Sequence, residues 1–78
     1  MAKITNCKYY ILRDIDSGET VVRPANLARW AISKGLTVEI GTTILRMTLD
    51  EYNELSEGQR RELAIKQWQA EQQGKVRQ

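Results

Sequence analysis

Histidine and phenylalanine are absent from these 78 residues, and cysteine and proline occur once each. Without histidine the usual base for a serine or cysteine nucleophile is missing. Cys7 can close no disulfide within the chain, and with neither a second cysteine nor a histidine no zinc-binding set can be assembled. The chain therefore reads as a non-enzyme, with no catalytic residue, no cofactor and no metal. Apolar runs are also scarce. The longest is the four residues Tyr9 to Leu12, against about 20 for a transmembrane helix, so no membrane span is expected. The stretch Met1 to Cys7 is polar and lacks the apolar core of about 7–15 residues of a secretory signal, which makes cytoplasmic the expected location. The five glycines are isolated from one another, so no phosphate-cradling loop is present.

What remains is an ordinary globular composition, 41% hydrophobic, with 12 Lys and Arg against 10 Asp and Glu. That balance excludes wholesale disorder. A chain of this length holds one small domain, here assigned to residues 1–72, with 73–78 as a frayed polar tail rich in Gln. The charge is uneven. Residues 1–48 carry seven cations and four anions, and residues 49–78 five cations and six anions.

The first part is rich in β-branched residues and Tyr. Lys8 to Ile15 has the composition of a strand, Asp16-Ser17-Gly18-Glu19 the residues of a turn, and Thr20 to Arg23 a returning strand. Asp14 and Asp16 are read as turn formers beside Gly18, and not as a carboxylate pair with chemistry of its own. Pro24 suits a first helical turn and Gly35 the position just past a helix, which predicts a helix over 24–34. On it Leu27, Trp30, Ala31 and Lys34 share one side, with Trp30 as the expected core anchor, whose loss would cost about 3–5 kcal/mol.

Residues 37–47 fork. Thr37, Val38, Ile40, Thr42, Thr43 and Ile44 favour a strand, with Gly41 as a bulge or a turn. The other reading makes 24–47 a helix-turn-helix pivoting on Gly35, which needs 38–47 to be a recognition helix despite its β-branched residues. Beyond them, Thr48 with Glu51 and Ser56 with Gln59 are successive capping boxes, predicting a short helix over 49–55 and a longer one over 57–72. Leu63 or Ala64, with Trp68, would form the inward edge of the longer one. The fold class is thus α+β: a short antiparallel sheet, from the N-terminal hairpin plus residues 37–47, packed with one internal helix and a C-terminal helical hairpin.

Two partner classes follow. Lys3, Lys8, Arg13, Arg23, Arg29, Lys34 and Arg46 lie in the same part as Tyr9, Tyr10 and Trp30, a mixture suited to nucleic acid, although a denser basic stripe is usual for phosphate tracking. A small basic DNA-binding regulator of this kind would act as a dimer, since one domain offers few base contacts. That DNA-binding regulator is the alternative; the leading reading is a non-enzymatic module that binds a protein surface. Tyr9, Tyr10, Arg13, Arg60, Arg61 and Trp68 are the candidate contact residues, chosen because aromatic and cationic side chains dominate binding hot spots.

The segment Met47-Thr48-Leu49-Asp50-Glu51-Tyr52-Asn53-Glu54-Leu55-Ser56, continued through Arg60, Leu63, Ile65 and Trp68, resembles the end of a small phage-encoded anti-CRISPR protein of the type I-E class. Met47, Asp50, Glu51, Asn53, Leu55, Ser56 and Leu63 carry the match, while Tyr52 and Trp68 stand for other aromatics and Arg60 for another base. The block covers 22 of 78 residues, and the first 46 residues have no counterpart in it. The resemblance implies a phage or mobile-element origin and inhibition of a host or defence protein, a CRISPR effector component among them, by occupying its surface. DNA mimicry does not suit a mildly basic chain.

Overall fold

A run rich in aromatic and aliphatic residues from Tyr9 to Leu12, fit to be covered on both faces, builds an extended strand, and the computed structural model, which describes residues 3–76, places it at the centre of the molecule. This β1 (Ile4–Asp14) is flanked by β2 (Thr20–Pro24) and β3 (Thr37–Thr48) in the order β2-β1-β3, both antiparallel to it. The helices are α1 (Ala25–Ser33), α2 (Leu49–Glu54) and α3 (Glu57–Val76). The architecture is α+β, as the residue pattern indicates. Because 37–48 is one continuous strand, there is no recognition helix and the helix-turn-helix is excluded. None of the helices among the described residues is long and apolar enough to cross a membrane.

Local chemistry accounts for each connection. In the hairpin the Asp14 carboxylate accepts from the backbone amides of Asp16 at 2.9 Å and Ser17 at 3.0 Å, and Gly18 takes a φ of +75°. Asp14 is therefore a turn former. Helix α1 ends at Gly35, whose φ is +74°, with Gly35 N donating to Ile32 O and Leu36 N to Ala31 O, the paired bonds of a Schellman stop. Pro24 differs from expectation by one place: it closes β2 and stands just before the helix. Both capping boxes form. Thr48 Oγ1 accepts from Glu51 N while Glu51 Oε1 accepts from Thr48 N, and Ser56 and Gln59 repeat the exchange. Helix α3 runs on to Val76, past its expected end at 72 and into the segment read as a tail. The final residues of that segment, 77–78, lie outside the described residues.

The sheet has two faces, and they are covered differently. On one, Tyr9, Ile11, Val22, Leu45 and Met47 are buried against Ala64, with Tyr52, Leu55, Ile65 and Trp68 packed around them. Helices α2 and α3 form this cover. Gln67 Nε2 donates to Thr43 Oγ1 and to the carbonyl of Ile44, both at 2.7 Å, so α3 also occupies a polar group of the edge strand β3. A bulge in β3 opposite Ile11 and Leu12 leaves Ile40 as the extra residue, next to Gly41, which gives the bulge reading of that segment.

On the opposite face Leu12 is fully buried, and so is Ala28 of α1, outside the main cluster. Helix α1 connects β2 to β3 across β1 and seals this end of the sheet. Its inward side is the row Ala25, Ala28, Ala31, of which Ala28 is completely enclosed. The expected anchor is corrected here: Trp30 is 55% exposed and Leu27 43%. Alanines at three-residue spacing let the helix axis approach the sheet closely over Leu12, and a tryptophan between the layers would hold it away.

Candidate functional site

The six candidate contact residues separate into three groups. Tyr9 is 3% exposed and belongs to the core. Trp68 is partly buried against that core, with its indole over Gly41. Arg60 is turned inward: its guanidinium donates to the carbonyls of Tyr52 at 2.7 Å and Leu55 at 2.5 Å, pairs with Glu57 at 3.2 Å, and stacks 4.1 Å from the Tyr52 ring centre. These three are occupied within the fold, for the same reason that made them candidates: large aromatic and cationic groups are what a small domain has available to fill and tie its core. Arg61 is half-buried and bonded to Glu57 at 3.1 Å. Only Tyr10, half-buried, and Arg13, exposed, stand on the sheet surface.

Cys7 and Tyr9 lie beside Arg60 and Glu57. Burial pushes the Cys7 thiol above its ordinary 9.0 and the Tyr9 phenol above its ordinary 10.0, and nearby Arg60 offsets this only in part. A thiol held protonated is a poor nucleophile. Burial works against the charge of Arg60, but the hydrogen bond to Glu57 together with the neighbouring Tyr9 and Tyr52 outweighs that and keeps it cationic. Among the described residues no group of three or more acids, Cys or His is placed to hold a metal.

These shifts make the stability of the fold depend on pH in the alkaline range. Both groups have higher pKa values folded than unfolded, so their contribution to stability is whole below about pH 9 and is lost as pH rises through the raised values. No histidine titrates between. Thermal melts should give a level midpoint from about pH 6 to 8 and a falling one above about pH 9.5. A midpoint already falling between pH 6 and 8 would contradict this.

The sheet face that carries Leu12 is covered only at the α1 end. Register places the remaining side chains in rows: Arg23, Tyr10 and Thr42; then Lys8 and Ile44; then Asn6 and Arg46; then Ile4 and Thr48. Asn6, Lys8 and Arg46 are exposed, Ile4 and Ile44 are 56% and 49% exposed, and no described element lies over them. Lys8 sits 5.3 Å from the centre of the Tyr10 ring, as neighbours on one face should. These rows contain three cations and no carboxylate. Six of the ten acids, Asp50, Glu51, Glu54, Glu57, Glu62 and Glu71, are on α2 and α3, behind the opposite face, whereas Glu39 lies on this face one row beyond Tyr10, opposite Leu12 at the α1 end.

Lys8, Arg23 and Arg46 are among the cations noted in the sequence, and Thr42 and Ile44 among its strand formers, but the sequence alone marks neither these two nor Asn6 as contact residues. The available signal was parity: once 4–14 and 37–48 are both strands, positions 4, 6, 8 and 10 share a face with 42, 44, 46 and 48. A groove of about 580 Å³ between β3 and the C-terminal helices mixes Leu45, Leu55 and Leu63 with Arg46, Glu51 and Lys66. Its charges are of both signs, and Arg46 stands at the edge where this groove meets the open face.

Comparison with protein families, curated proteins and solved structures gives no match to this chain.

Proposed function

We propose that this chain is a DNA-binding module that lays the uncovered face of its sheet in the major groove of duplex DNA. The observation that carries this reading is the set Asn6, Lys8, Arg23, Thr42 and Arg46 on one open face without a carboxylate among them. Those residue types contact phosphates and base edges, and the acid of this face in register, Glu39 opposite Leu12, stands at the α1 end, away from the ribbon rows. The shape agrees. β2 ends opposite Tyr9, so beyond it β1 and β3 continue as a two-stranded ribbon. Strands about 4.8 Å apart, with their side chains, suit a groove about 12 Å wide. The regulator thus acts through strands and needs no second helix.

A single ribbon makes few contacts, so affinity for random duplex should lie at about 1–100 µM and fall with salt at a log–log slope of about −3. Reversing Lys8→Glu together with Arg46→Glu should weaken binding at least tenfold at about 50 mM salt while the thermal midpoint barely moves, because both side chains are exposed. Fluorescence anisotropy on labelled duplex and single strands measures this. Affinity unchanged by the double reversal, or absent at low salt, would overturn the reading.

A second reading keeps the inhibitor role implied by the anti-CRISPR resemblance. It is supported by Leu27 and Trp30, an exposed apolar pair on the outer side of α1, of the kind that anchors protein interfaces. Trp30→Ala separates the two, since it leaves DNA affinity intact if the ribbon is the contact.

A further inference from the structure

We propose that Asn6 and Arg46 are the base-reading pair of this face, Arg46 for guanine and Asn6 for a neighbouring adenine, while Lys8 and Arg23 hold the backbone. This rests on the DNA reading above and assigns separate tasks within it.

The four polar side chains are not equally free. Arg23 already donates from one terminal nitrogen to the carbonyl of Val22 at 2.8 Å. That bond ties the Arg23 guanidinium back to its own strand, whereas bidentate recognition of guanine O6 and N7 needs a fork free to turn outward into the groove. Lys8 is drawn over the Tyr10 ring and is a point charge without a planar fork. By contrast, the hydrogen bonds and ion pairs among the described residues use neither the Asn6 amide nor the Arg46 guanidinium, and both side chains are exposed. Arginine and asparagine are the two side chains that match guanine and adenine bidentately in the major groove.

Their placement suits adjacent bases. Asn6 and Arg46 are direct cross-strand partners on the ribbon, beyond the end of β2 and two rows from the Arg23 and Tyr10 row at the α1 end. Opposed residues have Cβ atoms about 5 Å apart, and successive bases are about 3.4 Å apart, so the two side chains span one to two base steps. Ile44, exposed in the next row, is diagonal to Asn6 and can meet a thymine methyl. Lys8, in the same row as Ile44, lies about 7 Å along β1 from Asn6, within reach of a flanking phosphate.

The test is selection from a randomised duplex library by the full chain, followed by sequencing. The wild type should enrich a short motif with a guanine beside an adenine, preferred about tenfold over a mismatch at either position. Arg46→Ala should erase the guanine preference and Asn6→Ala the adenine preference. Arg46→Lys keeps the charge but loses the fork, so it should retain bulk affinity and still lose guanine selectivity. Lys8→Ala should weaken all sequences alike and reduce the salt slope by about one. A library retained at low salt without enrichment, or a motif unaltered by Asn6→Ala and Arg46→Ala, overturns the base-reading pair and leaves DNA binding standing. A library not retained at all overturns both.

Discussion

Gly41→Val should destabilise the protein by about 2–3 kcal/mol, a large part of the roughly 4–12 kcal/mol available to a chain of this length. Gly41 has no positive φ, so its backbone would accept any residue, and a β-branched side chain would by itself favour the strand. The obstacle is the neighbour. A Cβ at Gly41 would overlap Trp68 Nε1 and lie 2.9 Å from Cε2 and 3.3 Å from Cδ1 of the same ring. Three atoms of one indole cannot yield by the swing of a flexible tip, so the ring, and with it the middle of α3, has to move. The packing explanation makes a second, sharper prediction. In a Trp68→Ala background the obstacle is gone, and Gly41→Val should become neutral or stabilising. A double-mutant cycle in urea would therefore give a coupling of about 2 kcal/mol or more between the two positions. Equal costs in both backgrounds would mean that Gly41 serves the β-bulge beside it and not the indole.

That pair shows where the sequence was legible and where it was not. Elements announced by local chemistry were readable: the Asp14 and Gly18 turn, the stop at Gly35, and the boxes Thr48 with Glu51 and Ser56 with Gln59 all depend on residues within a few positions of each other. Gly41 was readable as an irregularity, yet its partner lies 27 positions on, and nothing in the chain says which ring approaches which glycine. Trp30 failed for a related reason. Amphipathic reading ranks faces by bulk, and on α1 the bulky face is the exposed one, because a row of alanines permits closer contact with the sheet. The contact residues suffered from the same rule. Aromatic and cationic side chains suit interfaces, but in 78 residues the fold takes Tyr9, Arg60 and Trp68 for itself. The open face was hidden in parity, which becomes informative only after two segments are known to be paired strands.

Leu12→Ala is expected to lower stability by about 3 kcal/mol, near the middle of the range for a fully buried leucine, and to move the thermal midpoint down by roughly 15 °C. The size follows from the position. Leu12 is fully buried on the face opposite the main core, where the enclosed residue of α1 is only an alanine. The bulk of the seam between α1 and the sheet is thus supplied by Leu12, and truncating it leaves Ala28 over a void that the short, Gly35-stopped helix can fill only by shifting. Trp30→Ala, on the same helix, removes a much larger side chain but should cost less than about 1 kcal/mol, because more than half of its surface is in water already. The order of these two effects reverses what residue size suggests, so chemical denaturation of the two variants decides whether alanines or the tryptophan seat α1. The outcome also bears on the open face. If Leu12 holds α1 over the end of the sheet, Leu12→Ala should loosen α1 and the Arg23 end of the face while the Asn6 and Arg46 rows, backed by α2 and α3, stay ordered. Hydrogen exchange should then rise in residues 25–36 and remain slow in 44–47. Exchange rising equally in both segments would make the seam and the ribbon one cooperative unit, and the rows of the open face could not be treated as resting on separate supports.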